Sequence, residues 1–258
     1  MAGATVGPGA GAEYQGGVNQ TNRPFVTGGA ASNGAMTDRW TMGGSIHGPL
    51  SEQETRALAE RRLASVADPT PLGLAGFAAA TFTASTVLAG WFDGRDLIVA
   101  IPVLLVFGGI AQFLAGMWSY ARANLLGTVA FCSFGSFNVA FALLLWMQAT
   151  HAINPINAPG SDQAKVAGVF VLMFALISAY LAYAALSDNL LIAGILGVLA
   201  LAYLCDGVGL WIGGQNWLGG IGGYAGIVAS LLAFYGSAAI VVNALRGREA
   251  LHTYQVRR

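Results

Sequence analysis

Over most of this chain, polar positions are too sparse to mark one face of a helix or to alternate with apolar ones. Six apolar runs dominate instead, at residues 71–91, 97–120, 124–147, 166–186, 190–205 and 217–245. A helix that crosses a bilayer needs about 20 mostly apolar residues. Five runs reach that length, and the fifth is shorter, ending near Asp206. Turn and charge signals separate them: Asp93-Gly94-Arg95-Asp96, Arg122, Asn154-Pro155 with Ala158-Pro159-Gly160, and Ser187-Asp188-Asn189. The sixth run opens on Gly219-Gly220-Ile221-Gly222-Gly223, which reads as a glycine-rich turn. Uninterrupted runs exclude a porin-type barrel, whose strands alternate in short segments. The pattern predicts an all-α membrane protein with six transmembrane helices.

Composition sharpens this picture. The 258 residues are 55% hydrophobic and 9% charged, with mean hydropathy +0.62. Between residues 71 and 245 only Asp93, Arg95, Asp96, Arg122, Asp162, Lys165, Asp188 and Asp206 carry charge. A section that poor in charge cannot keep a water-facing surface soluble. Lys and Arg near the helix ends set orientation. Six crossings put both termini on one side, which then holds Arg56, Arg61, Arg62, Arg122, Arg246, Arg248, Arg257 and Arg258, against Arg95 and Lys165 on the other. Both termini are therefore expected in the cytoplasm, with the chain in the cytoplasmic (plasma) membrane. Residues 68–245 form the expected six-helix transmembrane domain, with 246–258 as a cytoplasmic tail.

Residues 1–49 are rich in Gly, Ala, Asn and Thr and read as a disordered cytoplasmic tail. They hold no basic stretch followed by an apolar core, so no cleaved signal peptide is expected. A short amphipathic helix is expected over 50–67. Ser51 and Glu54 form a capping box, and Leu58, Ala59 and Leu63 supply a thin apolar stripe beside Arg56, Arg61 and Arg62. That helix either lies on the inner membrane surface or is a solvated linker.

The chemistry-bearing residues exclude several classes. Net charge is zero and the basic residues form no large cluster, which argues against a nucleic-acid partner. Cys132 and Cys205 sit inside apolar runs, while His47, His151 and His252 lie outside them. No disulfide framework, metal site or cofactor is expected from such spacing. No Ser or Cys nucleophile has a His at membrane depth, and no paired carboxylates occur, so an enzyme is not expected. Lys165, the only lysine, sits at a helix end, which disfavours a retinal Schiff base. Asp206 is the deepest carboxylate and, beside Gly207 and Gly209, reads as an interfacial helix-end residue.

Three stretches inside the membrane each allow two readings. In Asp68-Pro69-Thr70-Pro71-Leu72-Gly73-Leu74, Thr70 suits an N-cap and Pro71 the first helical position, with Asp68 accepting from the open N–H groups or those groups attracting a small anion. In Phe107-Gly108-Gly109-Ile110-Ala111-Gln112, the glycine pair permits a helix break or a close approach, and Gln112 marks an interhelical contact or a pore lining. In Cys132-Ser133-Phe134-Gly135-Ser136-Phe137-Asn138, either Ser and Gly pack helices while Phe faces lipid, or one ring sits in a narrow, water-poor constriction. Other glycine faces, Gly219-x-x-x-Gly223 and Gly222-x-x-x-Gly226, suit close helix packing within or between subunits.

At these residues the chain resembles the acetate uptake transporter family, also called the succinate–acetate permease or GPR/FUN/YaaH family. The family signature Asn-Pro-Ala-Pro-Leu-Gly-Leu stands here as Asp68, Pro69, Thr70, Pro71, Leu72, Gly73 and Leu74, followed by Gly76-Phe77. The second helix's Phe-Gly-Gly-Ile-Ala-Gln-Phe-Leu-Ala-Gly, the third's Ala130 to Phe137 and the sixth's Gly222-Gly223-Tyr224-Ala225-Gly226 through Tyr235 also fit, in the right order. The resemblance implies six helices per subunit, a homohexameric ring in the lipid bilayer, and passage of acetate and related short carboxylates as a channel or with a proton. It carries the family's hydrophobic constriction to Phe77, Phe134 and Leu199, with Phe134 in place of a frequent tyrosine. Asp68 replaces the signature Asn and, if ionised, sets a negative charge at the mouth.

The residues agree with that implication. Without Lys or Arg at the predicted membrane centre, a carboxylate would meet helix N-termini, amides and hydroxyls (Gln112, Thr81, Thr83, Ser133, Asn138), or cross as the protonated acid. Aromatic constrictions tolerate a small methyl-bearing solute better than a hydrated ion. A membrane sensor signalling through the tail, or a channel for another small neutral solute, are the alternatives.

Overall fold

The computed structural model describes residues 51, 53, 66–153, 162–213 and 217–256. The tail expected at 1–49, the stripe Leu58, Ala59 and Leu63 with Glu54, and the proline turns at 154–160 lie outside the described residues. Six helices follow one another: α1 (Thr70–Leu88), α2 (Val103–Ala121), α3 (Leu125–Ala149), α4 (Gln163–Ala185), α5 (Leu190–Trp211) and α6 (Trp217–Arg246). Each is long and apolar enough to cross a membrane. With six crossings, the start of α1 and the end of α6 share one end of the bundle. We call it the Asp68 end, and the opposite one the Asp93 end.

Local chemistry sets the helix ends. Thr70 is already helical, and Pro69, not Thr70, occupies the N-cap. Proline fits the first turn of α1 because the N–H it lacks would have no intrahelical partner. The Thr70 N–H donates to Asp68 Oδ1 at 3.0 Å, just ahead of the helix start. Asn124 accepts from Gly127 N–H at the start of α3, and Asn189 accepts from Leu191 and Ile192 N–H at the start of α5. These are the standard Asn caps of otherwise unpaired donors.

Three boundaries differ from the sequence expectation. The second helix starts at Val103 rather than Leu97, because Gly94–Ala100 winds as a 3₁₀ turn and Pro102 precedes the first helical residue. The fifth runs through Asp206 to Trp211 instead of ending at Cys205. Gly207 is not a terminator there: a Cβ on it would stand 3.0 Å from the Gly168 carbonyl oxygen, so the glycine lets α5 approach α4. The expected turn at Gly219–Gly223 is helical, within the first turns of α6.

The glycine pair of α2 produces a third solution beside break and close approach. Val103–Ala111 is π-helical, a wider winding that continues into the α-helical Gln112–Ala121. Gly108 and Gly109 in this stretch lie against Asn138 and Val139 of α3, so the widened turn is also a place of close contact. Such segments are frequent at functional sites.

The helices pack as two linked groups. α1 lies against α6 and α2, α2 against α3, and α4, α5 and α6 lie side by side. One buried apolar cluster gathers Leu74, Phe77, Phe131, Phe134, Leu196 and Leu199; a second gathers Ala80, Ile101, Leu104 and Leu145. Large apolar side chains cover the outside as well, among them Val166, Leu176 and Leu231. Exposed rings gather near both ends, Trp91, Trp146, Trp211 and Trp217 at one and Trp118, Tyr120 and Tyr183 at the other. Aromatic belts of this kind mark the two interfaces of a membrane protein.

Beyond α6, the chain expected to be a tail is docked. Asn243 Oδ1 accepts from Ala250 and Leu251 N–H, and its Nδ2 donates to the Leu251 carbonyl. Tyr235 Oη donates to the His252 carbonyl. Residues 254–256 then pair with the α4–α5 turn, through Leu190 N–H to Tyr254 O and Val256 N–H to Asp188 O.

Candidate functional site

Two cavities enter the bundle from opposite ends and share one residue. The smaller, about 350 Å³, opens at the Asp68 end between Asp68, Arg122, Asp188 and Gln255. It narrows to Phe77, Gln112, Phe134 and Leu199. The larger, about 810 Å³, opens at the Asp93 end beside Asp93, Arg95 and His151, and holds Thr81, Asn138, Tyr203 and Asp206 in its wall. Leu199 lines both.

Helical periodicity explains this stacking. Phe77 and Thr81 on α1, and Phe134 and Asn138 on α3, are each four residues apart and so share a helix face. Each pair puts its aromatic ring toward the smaller cavity and its polar group into the larger one. The six sequence-chosen pathway residues therefore divide: Phe77, Gln112, Phe134 and Leu199 on one side, Thr81, Asn138 and again Leu199 on the other. Asp68 reaches the smaller mouth, and Leu74 lines its wall. Gly73 is buried against the ring of Phe131, while Leu72 is 46% exposed on the outside.

Between the cavities the packing is apolar and tight. Phe77, Phe134 and Leu199 are 4%, 2% and 1% exposed, and the Phe77 and Phe134 rings stand 6.1 Å apart between centroids. Phe134 also meets Phe174 and Tyr203, and Phe137 stacks on Phe170. The reading in which the α3 rings face lipid is therefore overturned for Phe131, Phe134 and Phe137, all of which are buried. Ring pairs hold this geometry beyond their simple burial. Gly135 fits the packing part of that reading, lying against the backbone of Phe113.

The polar groups beside the narrow point form a short network. Asn138 Nδ2 donates to the Gly108 carbonyl at 3.0 Å and to Gln112 Oε1 at 3.2 Å. The Gly108 carbonyl belongs to the π-helical stretch, which links the widened winding to this contact. Gln112 is wholly buried, yet its Nε2 has no acceptor among the described residues. Gln112 contacts α3 through its bond to Asn138 and also lines the smaller cavity. A buried amide with unmet donors is costly unless something else accepts from it.

Charge is confined to the mouths. At the larger one, Arg95 donates to both Asp93 carboxylate oxygens, at 3.1 and 3.0 Å. That hydrogen-bonded pairing holds the Asp93 carboxyl down to about 2. Lys165 likewise pairs with Asp162 at 2.7 Å and lowers it. Arg122 at the smaller mouth donates to the Val66 carbonyl. Asp206 is the exception, a carboxylate inside the span: Gly222 of α6 faces it so closely that a Cβ there would strike Oδ1. The sequence reading placed it at a helix end because Gly207 and Gly209 looked like breakers. Phe137 and Tyr203 were also missed, although Tyr203 and Asp206 lie four and seven residues beyond Leu199, the spacing that shares its face.

Residues 51–252 match the profile of the GPR1/FUN34/yaaH family. Acetate permease A of Emericella nidulans is 30% identical over 185 residues, covering 69% of this chain and 62% of that protein. Ammonia transport outward protein 2 of Saccharomyces cerevisiae is 26% identical over 193 residues, covering 73% and 66%. The chain thus spans a little under two thirds of the length of these fungal relatives. The solved structure of the bacterial acetate channel SatP superposes with a TM-score of 0.65 at 25% identity, over 72% of this chain and 98% of that one. Two cavities in series, the four motifs and the profile match over most of the chain agree: this protein belongs to the GPR1/FUN34/yaaH family.

Proposed function

We propose that the chain passes acetate and related short monocarboxylates across the plasma membrane, through a pathway within each subunit. The observation that carries this is the meeting of two cavities at Leu199, closed by Phe77 and Phe134. The closure admits a methyl group more readily than a hydrated ion. On the way, the unmet Nε2 donor of Gln112 and the amide of Asn138 meet a carboxyl group. The names of the permease and channel relatives support the substrate class. Both termini face the cytoplasm in this reading, supported by the basic residues gathered at the Asp68 end.

A homohexamer is part of the proposal. The exposed Gly194 and Gly197 on α5 have open space where a Cβ would stand, which suits close approach of a neighbouring subunit's helix. Labelled-acetate uptake into proteoliposomes, with and without an inward proton gradient, tests the function. Empty liposomes correct for acetic acid that crosses lipid unaided. Uptake above that control supports the reading, and uphill accumulation identifies proton coupling. No excess over empty liposomes by a folded protein overturns it. A channel for small neutral solutes is the second reading; it predicts equal flux of acetamide and acetate.

A further inference from the structure

One buried group has no place in the pathway as described so far. Asp206 lies five residues inside the end of α5, on the wall of the larger cavity. It sits seven residues beyond Leu199, two helical turns or about 10.5 Å farther along the same face. A solute coming from the Asp93 end therefore passes Asp206 before it reaches the closure. Its Oδ1 is buried with no hydrogen-bond partner among the described residues. A second, independent group of the same cavity is in the same condition: Gln148 Nε2 on α3 is buried with no acceptor. Gln148 is the second-last residue of α3 and so stands nearer the mouth than Asp206; a carboxyl group entering from the Asp93 end meets an unmet donor first and an unmet acceptor farther in.

The surroundings of Asp206 decide how the charge is balanced. Gly222 of α6 faces it, and the aromatic and apolar residues Phe170 and Val171 of α4 and Ser85 of α1 line the same cavity. Tyr203 lies one turn away on its own helix. The other charged or titratable groups lining this cavity are Asp93, Arg95 and His151, all at the mouth and outside the spans. Arg95 is already committed to Asp93. No cation among the lining residues thus stands inside the span to neutralise two carboxylates at once. Two carboxyl groups brought within hydrogen-bond reach in such a place hold one proton between them.

We propose that Asp206 forms a carboxyl-binding site in the larger cavity, at which a solute carboxylate is seated by sharing one proton with the Asp206 carboxyl group. The site rests on the reading of the chain as a pathway for short carboxylates. Two carboxylates and one proton make an O–H···O⁻ pair of net charge −1. When the solute moves on toward Leu199 as the neutral acid, the O–H goes with it and Asp206 is left ionised for the next. Each acid then carries one proton through the closure between Phe77, Phe134 and Leu199.

The experiment is exchange of labelled acetate across proteoliposomes held at equal pH on both sides, with the empty-vesicle flux subtracted. Between about pH 5 and pH 8 the wild-type flux should fall at least about tenfold, because proton supply changes tenfold per pH unit. Asp206→Asn keeps the size and gives an amide that donates to a carboxylate without a proton, so its flux should fall less than about threefold over the same range. An Asp206→Asn profile as steep as wild type, or a flat wild-type profile, overturns the site. If Asp206→Asn does not reconstitute, Asp206→Ser takes its place with the same expected and overturning profiles. In wild type, labelled acetamide should show no fall with pH; an acetamide profile parallel to that of acetate overturns the site. No wild-type acetate flux above empty vesicles overturns the carboxylate reading itself, a failure distinct from the other results.

Discussion

At the scale of single residues, the closure combines size and an unmet hydrogen bond, and two substitutions separate them. Phe134→Ala removes a ring that meets Phe77, Phe174 and Tyr203. The opened space should raise uptake of larger acids such as succinate relative to acetate, and stability should fall by about 3–5 kcal/mol, as for other buried rings. Competition uptake with a thermal melt reads both; unchanged selectivity in folded protein would remove Phe134 from the closure. Gln112→Leu tests the hydrogen bond instead. Asn138 keeps its bond to the Gly108 carbonyl, so folding should lose only about 1 kcal/mol. Acetate flux should nevertheless fall several-fold with the oligomer intact on size exclusion. Loss of the oligomer with unchanged flux per assembled subunit would make Gln112 a packing residue.

At the scale of helices, small residues set how close the elements come. A Cβ on Gly76 of α1 would stand 2.6 Å from the Phe107 carbonyl oxygen of α2, and backbone cannot swing aside as a side chain can. Gly76→Ala should therefore cost about 1–3 kcal/mol and part α1 from the π-helical stretch that carries the Gly108 carbonyl. A lowered melting temperature checks this; an unchanged one would show that the α1–α2 contact yields freely. This dependence on contact also explains what the sequence could and could not tell. Run length made the six spans legible, since apolar content alone reports a lipid environment, whereas Phe77, Phe134 and Leu199 were singled out only by the family resemblance. Gly207 and Gly209 were read as marking a helix end and Gly219–Gly223 both as a turn and as a packing face, because the neighbours that decide the matter at Gly207, Gly222 and Gly223 lie far away in sequence. Within lipid a helix has no water to exchange its hydrogen bonds with, so glycine there breaks little and packs much. The shortened α5 put Asp206 at a helix end rather than inside the span; Tyr203 lay within the run and drew no attention among its apolar neighbours. The docking of residues 247–256 had no sequence signal, since it rests on Asn243, Tyr235 and Asp188 meeting across the fold.

At the scale of the whole molecule, two cavities in series place every pH-sensitive step at a known depth. The mouth at the Asp93 end carries a carboxylate and a guanidinium side by side, and Arg95 holds Asp93 down to about 2 from an ordinary 3.8. A depressed carboxylate contributes its favourable pairing above the ordinary range and loses it as pH falls toward about 2. Through the pH range in which acetate exchanges with acetic acid, the Asp93–Arg95 pair therefore keeps one fixed charge state. It cannot be the origin of a transport profile that changes between about pH 5 and pH 8. Asp93→Asn should thus alter the level of acetate exchange, through the charge seen by an approaching anion, while leaving the shape and midpoint of its pH profile where wild type has them. Exchange in proteoliposomes at several ionic strengths reads both parts. The change in level should shrink as salt screens the mouth, and the midpoint should stay put at every salt concentration. A midpoint that moves with Asp93→Asn would transfer the pH-sensing step from the depth of the span to its mouth, and Asp206 would then be a buried group without a role in it.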